Sequence, residues 1–394
     1  MREVKSNIWK IYLLQFLQGF WFVLPIFILY FKIFSLSYTQ ISSLEASYSI
    51  ILFLVTIPCG AFSDLVNRNL SIIIGTVLVA VGMVILGIGN SYFIFLVGNS
   101  IWAIGDGFLS TARIALMYDS VKQIGQEQDY LKISGRTNIF SVISLVVSGF
   151  LGPIMFLYNP RLPWLLMAVL WALSIIVVLS LVEPDKDNIE MSLKNYVNKI
   201  RDGFKFILYE KHVFWIMMFS IAMAIPLSFF NEVVSQTYYL EIGFSISVFS
   251  IIFPVIYGVA SLTASQSHRM AKFLGEQGSF IFILTIHSVG LILMGLLHTP
   301  YVLIVVIITY ISRDFRWVYN DTYVNKYANS KIRATVLSVI SMTMNLLLSI
   351  FYVLGGYLTD FFGIFQVLFM FGIFTAICSL ILILTKPMNS AVIY

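Results

Sequence analysis

Charge is what this sequence has least of. Only 11% of its 394 residues are Asp, Glu, Lys or Arg, 59% are hydrophobic, and mean hydropathy is +0.91. A soluble domain carries about a quarter charged residues, so the chain belongs to the polytopic membrane class. Cysteine is nearly absent. Cys59 and Cys378 fall in or at the ends of apolar runs, which suggests neither a disulfide framework nor a metal site. His212, His268, His287 and His298 lack metal-ligand spacing. There is no P-loop, so ATP hydrolysis is not expected, and no motif supports an enzyme or a cofactor. The formal charge of +5 does not point to nucleic acid, because the basic residues sit mainly in alternate loops. The N-terminus is short and basic, and the first apolar run is too long for a signal-peptide core. It reads as a retained first helix.

What the chain has in abundance is apolar runs. They span about 8–34, 40–62, 70–90, 92–119, 137–158 and 163–182, then 213–235, 246–266, 275–297, 299–320, 334–357 and 363–386. About 20 apolar residues cross a bilayer as a helix, so twelve membrane helices are predicted. Of the 24 Lys and Arg, nineteen lie in segments on one side. Lys32 and Arg161 lie on the other, and Arg113, Arg313 and Arg316 lie within helices. The excess of basic residues predicts that both termini and the 183–212 interval are cytoplasmic. In that interval Leu193, Val197, Ile200, Phe204 and Ile207 recur at helical spacing among Lys194, Lys199, Arg201 and Lys205. An amphipathic connector helix on the membrane surface is expected there.

The two halves repeat. Arg136-Thr-Asn-Ile-Phe-Ser-Val-Ile-Ser144 and Arg333-Ala-Thr-Val-Leu-Ser-Val-Ile-Ser341 share their Arg and their Ser-Val-Ile-Ser. Each opens a helix after a basic loop, the fifth and the eleventh. The fourth and tenth helices end alike, in Tyr118-Asp119 and in Tyr319-Asn320-Asp321. Ala264, His268 and Lys272 repeat the spacing of Gly60, Asp64 and Arg68. The predicted organisation is a six-helix half over 1–182, a linker over 183–212 and a second six-helix half over 213–394.

The stretch 60–69 reads as a short, charged break between helices two and three. Its pattern Gly60-x-x-x-Asp64-x-x-x-Arg68 resembles the signature loop of the major facilitator superfamily, although Asn67, Asn69 and Leu70 stand where that loop usually has a Gly and further basic residues. The resemblance implies an all-α fold of twelve helices in two pseudo-symmetric halves related by a parallel repeat. It implies that Asp64, Arg68 and Asp119 latch an inward gate, with Arg136 and Arg333 at the matching helix starts. Gly149-Phe-Leu-Gly152-Pro153 on helix five is similar to the Gly-Pro antiporter signature without its trailing Gly pair.

Charge at bilayer depth is costly and faces the bundle interior. Helix four carries Asp106 and Arg113, seven residues apart and so on one face. Helix ten carries Arg313, Asp314 and Arg316, helix one Gln15, Gln18 and Trp21, and helix seven Asn231 and Glu232. In the superfamily these four helices line the central cavity. The cavity candidates are therefore Gln15, Gln18, Trp21, Arg113, Asn231, Arg313 and Arg316. The proton-coupling candidates are Asp106, Asp314 and Glu232. Burial disfavours a charge on Asp106 while Arg113 favours one, which makes it the first choice. The expected function is proton-coupled efflux of a small amphiphilic molecule by a monomer in the cell membrane. The alternatives are an importer of a small, anionic metabolite and a non-transporting sensor or lipid-handling protein on the same fold.

Overall fold

The computed structural model describes residues 2–184, 193–264, 267–328 and 330–387. Apolar backbone in lipid must satisfy its own N–H and C=O groups, and only helices do so within one segment. Among the described residues no strand occurs, and nine helices are long and apolar enough to cross a membrane. The other three runs are helical too, but shorter or broken. In order, α1 is Asn7–Gln18 continued by Phe27–Ile33. Next come α2 Tyr38–Leu65, α3 Arg68–Ile88, α4 Tyr92–Gln123, α5 Tyr130–Tyr158 and α6 Leu162–Leu179. The linker helix, Leu193–Tyr209, precedes α7 Lys211–Glu241. Then follow α8 Phe249–Ala264, α9 Ser267–Leu296, which breaks at Gly275 where φ is 67°, α10 Leu303–Tyr327, α11 Ser330–Phe362 and α12 Ile364–Thr385.

Two expectations need correction. The run 8–34 is not one helix. It breaks after Gln18, and a 3-10 turn over Leu24–Ile26 intervenes. Pro25 cannot donate there, the Trp21 N–H is instead taken by Ser148 Oγ at 2.9 Å, and a Cβ on Gly152 of α5 would collide with the Phe22 carbonyl. The break expected over 60–69 is also shorter than predicted. Gly60 and Asp64 lie on the last turns of α2, and only Val66 and Asn67 separate it from α3. Asn67 caps α3 by accepting from Leu70 N–H at 2.8 Å, so α3 starts at once.

The chain forms two compact units. Unit 1 comprises Met1–Leu36, Ser43–Leu193 and Ser245–Pro254, and unit 2 comprises Ser37–Ser42, Lys194–Phe244 and Val255–Tyr394. In unit 1, Phe31, Phe95, Tyr30 and Trp164 form an edge-packed aromatic core, and Tyr30 Oη donates to the Leu86 carbonyl at 2.7 Å. Asn7 ties the start of α1 to the ends of α4 and α6, donating to Ser120 Oγ and Val182 O and accepting from Val182 N–H. In unit 2 the matching core is Trp215, Phe219, Phe280 and Tyr323. The linker helix docks on α11 at Gly203, where a Cβ would stand 2.8 Å from Thr335 Cγ2.

Candidate functional site

Helix α4 organises the charged interior of unit 1. Asp106 and Arg113 share a face, as their spacing requires, yet each is held by neutral partners. Tyr48 Oη donates to Asp106 Oδ2 at 2.5 Å, and Trp102 Nε1, one turn earlier on α4, donates to the same oxygen at 3.0 Å. Arg113 Nη2 donates to Gln18 Oε1 at 2.5 Å, and its guanidinium lies 5.4 Å from the Trp171 ring centroid. Gln18 is held in turn, because its Nε2 donates to Ser174 Oγ at 2.8 Å. These groups border a cavity of about 410 Å³, lined by Gln15, Gln18, Tyr48, Asp106, Ser110 and Arg113 on its polar side and by Leu14, Leu52, Leu109 and Met117 on its apolar side. Trp21 is not part of this lining. Its ring packs on Trp102 at 5.4 Å, behind the carboxylate's donor.

Unit 2 presents a smaller polar pocket of about 200 Å³, bordered by Ser228, Asn231, Glu232, Arg313 and Arg316. A π turn over Phe230–Val234 shapes it, following Pro226, which removes a backbone donor one turn before Phe230. Asn231 Nδ2 donates to Glu232 Oε1 at 2.6 Å, and Tyr310 Oη donates to Asn231 Oδ1 at 2.5 Å. The Arg313 guanidinium lies 4.9 Å from the Tyr310 ring centroid. Arg316 is buried and donates to the Ser220 carbonyl at 3.4 Å. Asp314 lies on α10, but its side chain is outside the described residues. Beside this pocket the buried His287 pairs its Nδ1 with Ser312 Oγ at 3.0 Å. Among the described residues no group of three His, Cys, Asp or Glu could hold a metal ion.

The predicted latch residues meet at one end of unit 1. Arg68 pairs with Asp119, while Asp64 Oδ1 lies 3.9 Å from Arg68 Nε. Sequence reasoning missed the third acid. Glu183, just past α6, accepts from the backbone N–H groups of Arg68 at 2.9 Å and Asn69 at 2.8 Å, so it caps α3 from outside. Arg136 is exposed, whereas Arg333 Nη2 reaches the Ala328 carbonyl at 3.5 Å, so the repeated arginines occupy different settings. The side chains of Ala264 and His268, expected to mirror Gly60 and Asp64, are outside the described residues.

Unit 2 has its own triad at the corresponding helix ends. Glu276 on α9 pairs with Lys326 at the end of α10 and with Lys386 just past α12, each at 3.2 Å. The signs are reversed relative to Arg68, Asp119 and Glu183. Burial opposes the charge on Lys326, but the Glu276 carboxylate outweighs it and holds that ammonium above the usual lysine range. At Lys386 burial prevails and the ammonium falls below that range. The signal for this triad is present in the sequence as charges near helix ends, outside the 264–272 stretch that repeats the spacing of 60–68.

The model of the Major Facilitator Superfamily matches residues 11–313. The chain belongs to that superfamily. Solved structures share the fold across nearly the whole length. A point mutant of the nucleoside transporter NupG superposes with a TM-score of 0.83 at 14% identity, covering 96% of this chain and 100% of its own. An inward-facing bacterial homologue of the human lysosomal transporter Spinster gives 0.76 at 14% identity, covering 98% and 97%. A POT family transporter in complex with 5-aminolevulinic acid gives 0.70 at 16% identity, covering 98% and 97%. No match was found among curated proteins. Membership makes the chain a multi-pass membrane transporter of small molecules rather than an enzyme, with twelve helices.

Proposed function

We propose that this transporter exports a small amphiphilic molecule by alternating access in exchange for protons, with Asp106 as the coupling carboxylate. The reading rests on one observation: two opposite charges on one face of α4 are each satisfied by neutral partners. Asp106 takes its donors from Tyr48 and Trp102, and Arg113 gives to Gln18. A carboxylate held this way accepts a proton without first breaking an ion pair. A guanidinium held by an amide keeps its hydrogen bond when a ligand oxygen takes the amide's place, and a charged ligand oxygen makes the stronger one. Proton and ligand therefore address the same helix two turns apart. The mixed lining suits a molecule with an apolar body and few polar groups. Export is assigned on the Gly149–Pro153 motif of α5. We place the protein in the plasma membrane as a monomer; the distribution of Lys and Arg supports cytoplasmic termini.

A second reading, import of a small anionic metabolite, is favoured by Arg313 and Arg316 at the unit 2 pocket. Proteoliposomes with an imposed pH gradient separate the two. A proton antiporter accumulates its ligand on the acidic side and a proton symporter on the alkaline side. Asp106→Asn should abolish accumulation while ligand binding and passive exchange survive. Full accumulation in Asp106→Asn, with loss in Glu232→Gln or Asp314→Asn, assigns coupling to another acid. Flux no higher than in empty liposomes, with every ligand that a thermal-shift screen finds, defeats the transport reading.

A further inference from the structure

Unit 2 carries a second cavity that the transport reading leaves unused. It is a groove of about 660 Å³ between α7 and α12, walled by Phe214, Met218 and Ile221 on one side and by Phe374, Cys378 and Ile381 on the other. Leu208 of the linker helix closes one end, where Lys211, Thr385 and Pro387 form the rim. Large apolar side chains stand exposed at its opening, Phe214 of α7 at 39% and Ile381 of α12 at 54%. On helices that cross a membrane such side chains meet lipid rather than water.

The dimensions are informative. Phe374 to Thr385 is eleven steps along α12, roughly 16 Å at 1.5 Å per residue. One leaflet of hydrocarbon is about half of the ~30 Å core. The groove is therefore as long as one acyl layer, with a cation at its polar end. Two neighbouring charged groups have partners of their own. The Lys386 ammonium pairs with Glu276 and lies 4.6 Å from the Phe280 ring centroid, and the Glu210 carboxylate accepts from His212 N–H at 3.4 Å. Lys211 is exposed, as are Lys205 and Arg201 on the adjoining linker helix.

We propose that this groove binds one anionic phospholipid of the cytoplasmic leaflet, its acyl chain along α7 and α12 and its phosphate at Lys211. The leaflet follows from the orientation proposed above; the site itself does not depend on the transport mechanism. A zwitterionic lipid would fill the apolar wall but gain less from the rim, and a free phosphate would gain nothing from the wall.

The test uses full-length protein in a neutral maltoside detergent, with phosphatidylglycerol and phosphatidylcholine of identical acyl chains counted by native mass spectrometry. Phosphatidylglycerol should be retained about fivefold more tightly, as one lysine near the headgroups implies. Lys211→Gln should erase that preference, and Cys378→Phe, which fills the groove, should remove both lipids. As a readout independent of the filled variant's folding, alkylation of Cys378 in a Cys59→Ala background should slow with phosphatidylglycerol more than with phosphatidylcholine. Equal retention of the two lipids overturns the proposal. So does a preference that survives Lys211→Gln, or alkylation that phosphatidylglycerol leaves unchanged.

Discussion

At the scale of single residues, the interior of unit 1 depends on partners that cannot be withdrawn singly. Gln18 holds Arg113 while itself being held by Ser174. A hydrogen bond to a charged group contributes about 1.5–3 kcal/mol. Gln18→Ala should therefore lower the initial transport rate in proteoliposomes at least tenfold, and Gln15→Ala, which only lines the cavity, much less. Glycine at 152 has a different role. A side chain there would meet the Phe22 carbonyl and Pro25 Cγ, whereas one at Gly135 would meet nothing within 4 Å. Overpacking costs about 1–3 kcal/mol, so Gly152→Val should lower the Tm in detergent by several degrees. Gly135→Ala should leave the Tm unchanged or raise it, since Ala suits an exposed helix better than Gly. Equal effects of the two would mean that α5 does not pack as described.

At the scale of elements, helix ends carry the remaining charge. Arg68 at the start of α3 is bound by Asp119 at the end of α4, and its backbone N–H by Glu183 past α6. Arg68→Ala and Asp119→Asn should each reduce transport strongly while insertion survives, and the double variant should be little worse than either single one. Additive losses would show that the two act separately. Glu183→Gln keeps an acceptor but loses its charge, and should cost less than Glu183→Ala, which leaves two N–H groups of α3 uncapped for about 1 kcal/mol. In unit 2, Glu276→Gln leaves Lys326 and Lys386 facing each other across a neutral amide. A drop in Tm that is relieved by adding Lys386→Gln is the expected result.

At the scale of the whole molecule, topology is the property to check. In a Cys59→Ala, Cys378→Ala background, Lys199→Cys should react with a membrane-impermeant maleimide only after the cytoplasmic face is opened. Labelling in intact cells would reverse the orientation.

Much of this architecture was legible without coordinates. Apolar runs of about 20 residues have to be helices, because lipid offers their backbone no hydrogen bonds. Asp106 and Arg113 had to share a face, because seven residues is nearly two turns. Asp64, Arg68 and Asp119 were legible as a group through their resemblance to a known motif. The sequence period determines which face a side chain takes, but not what stands opposite. Tyr48 reaches Asp106 across 58 residues, Gln18 reaches Arg113 across 95, and Glu183 reaches Arg68 across 115. Those pairings depend on how each helix is rotated and tilted against its neighbours. The break after Gln18, the capping of α3 by Glu183 and the reversed triad at Glu276 were likewise decided by packing, where one helix's polar atoms have to be answered by another's.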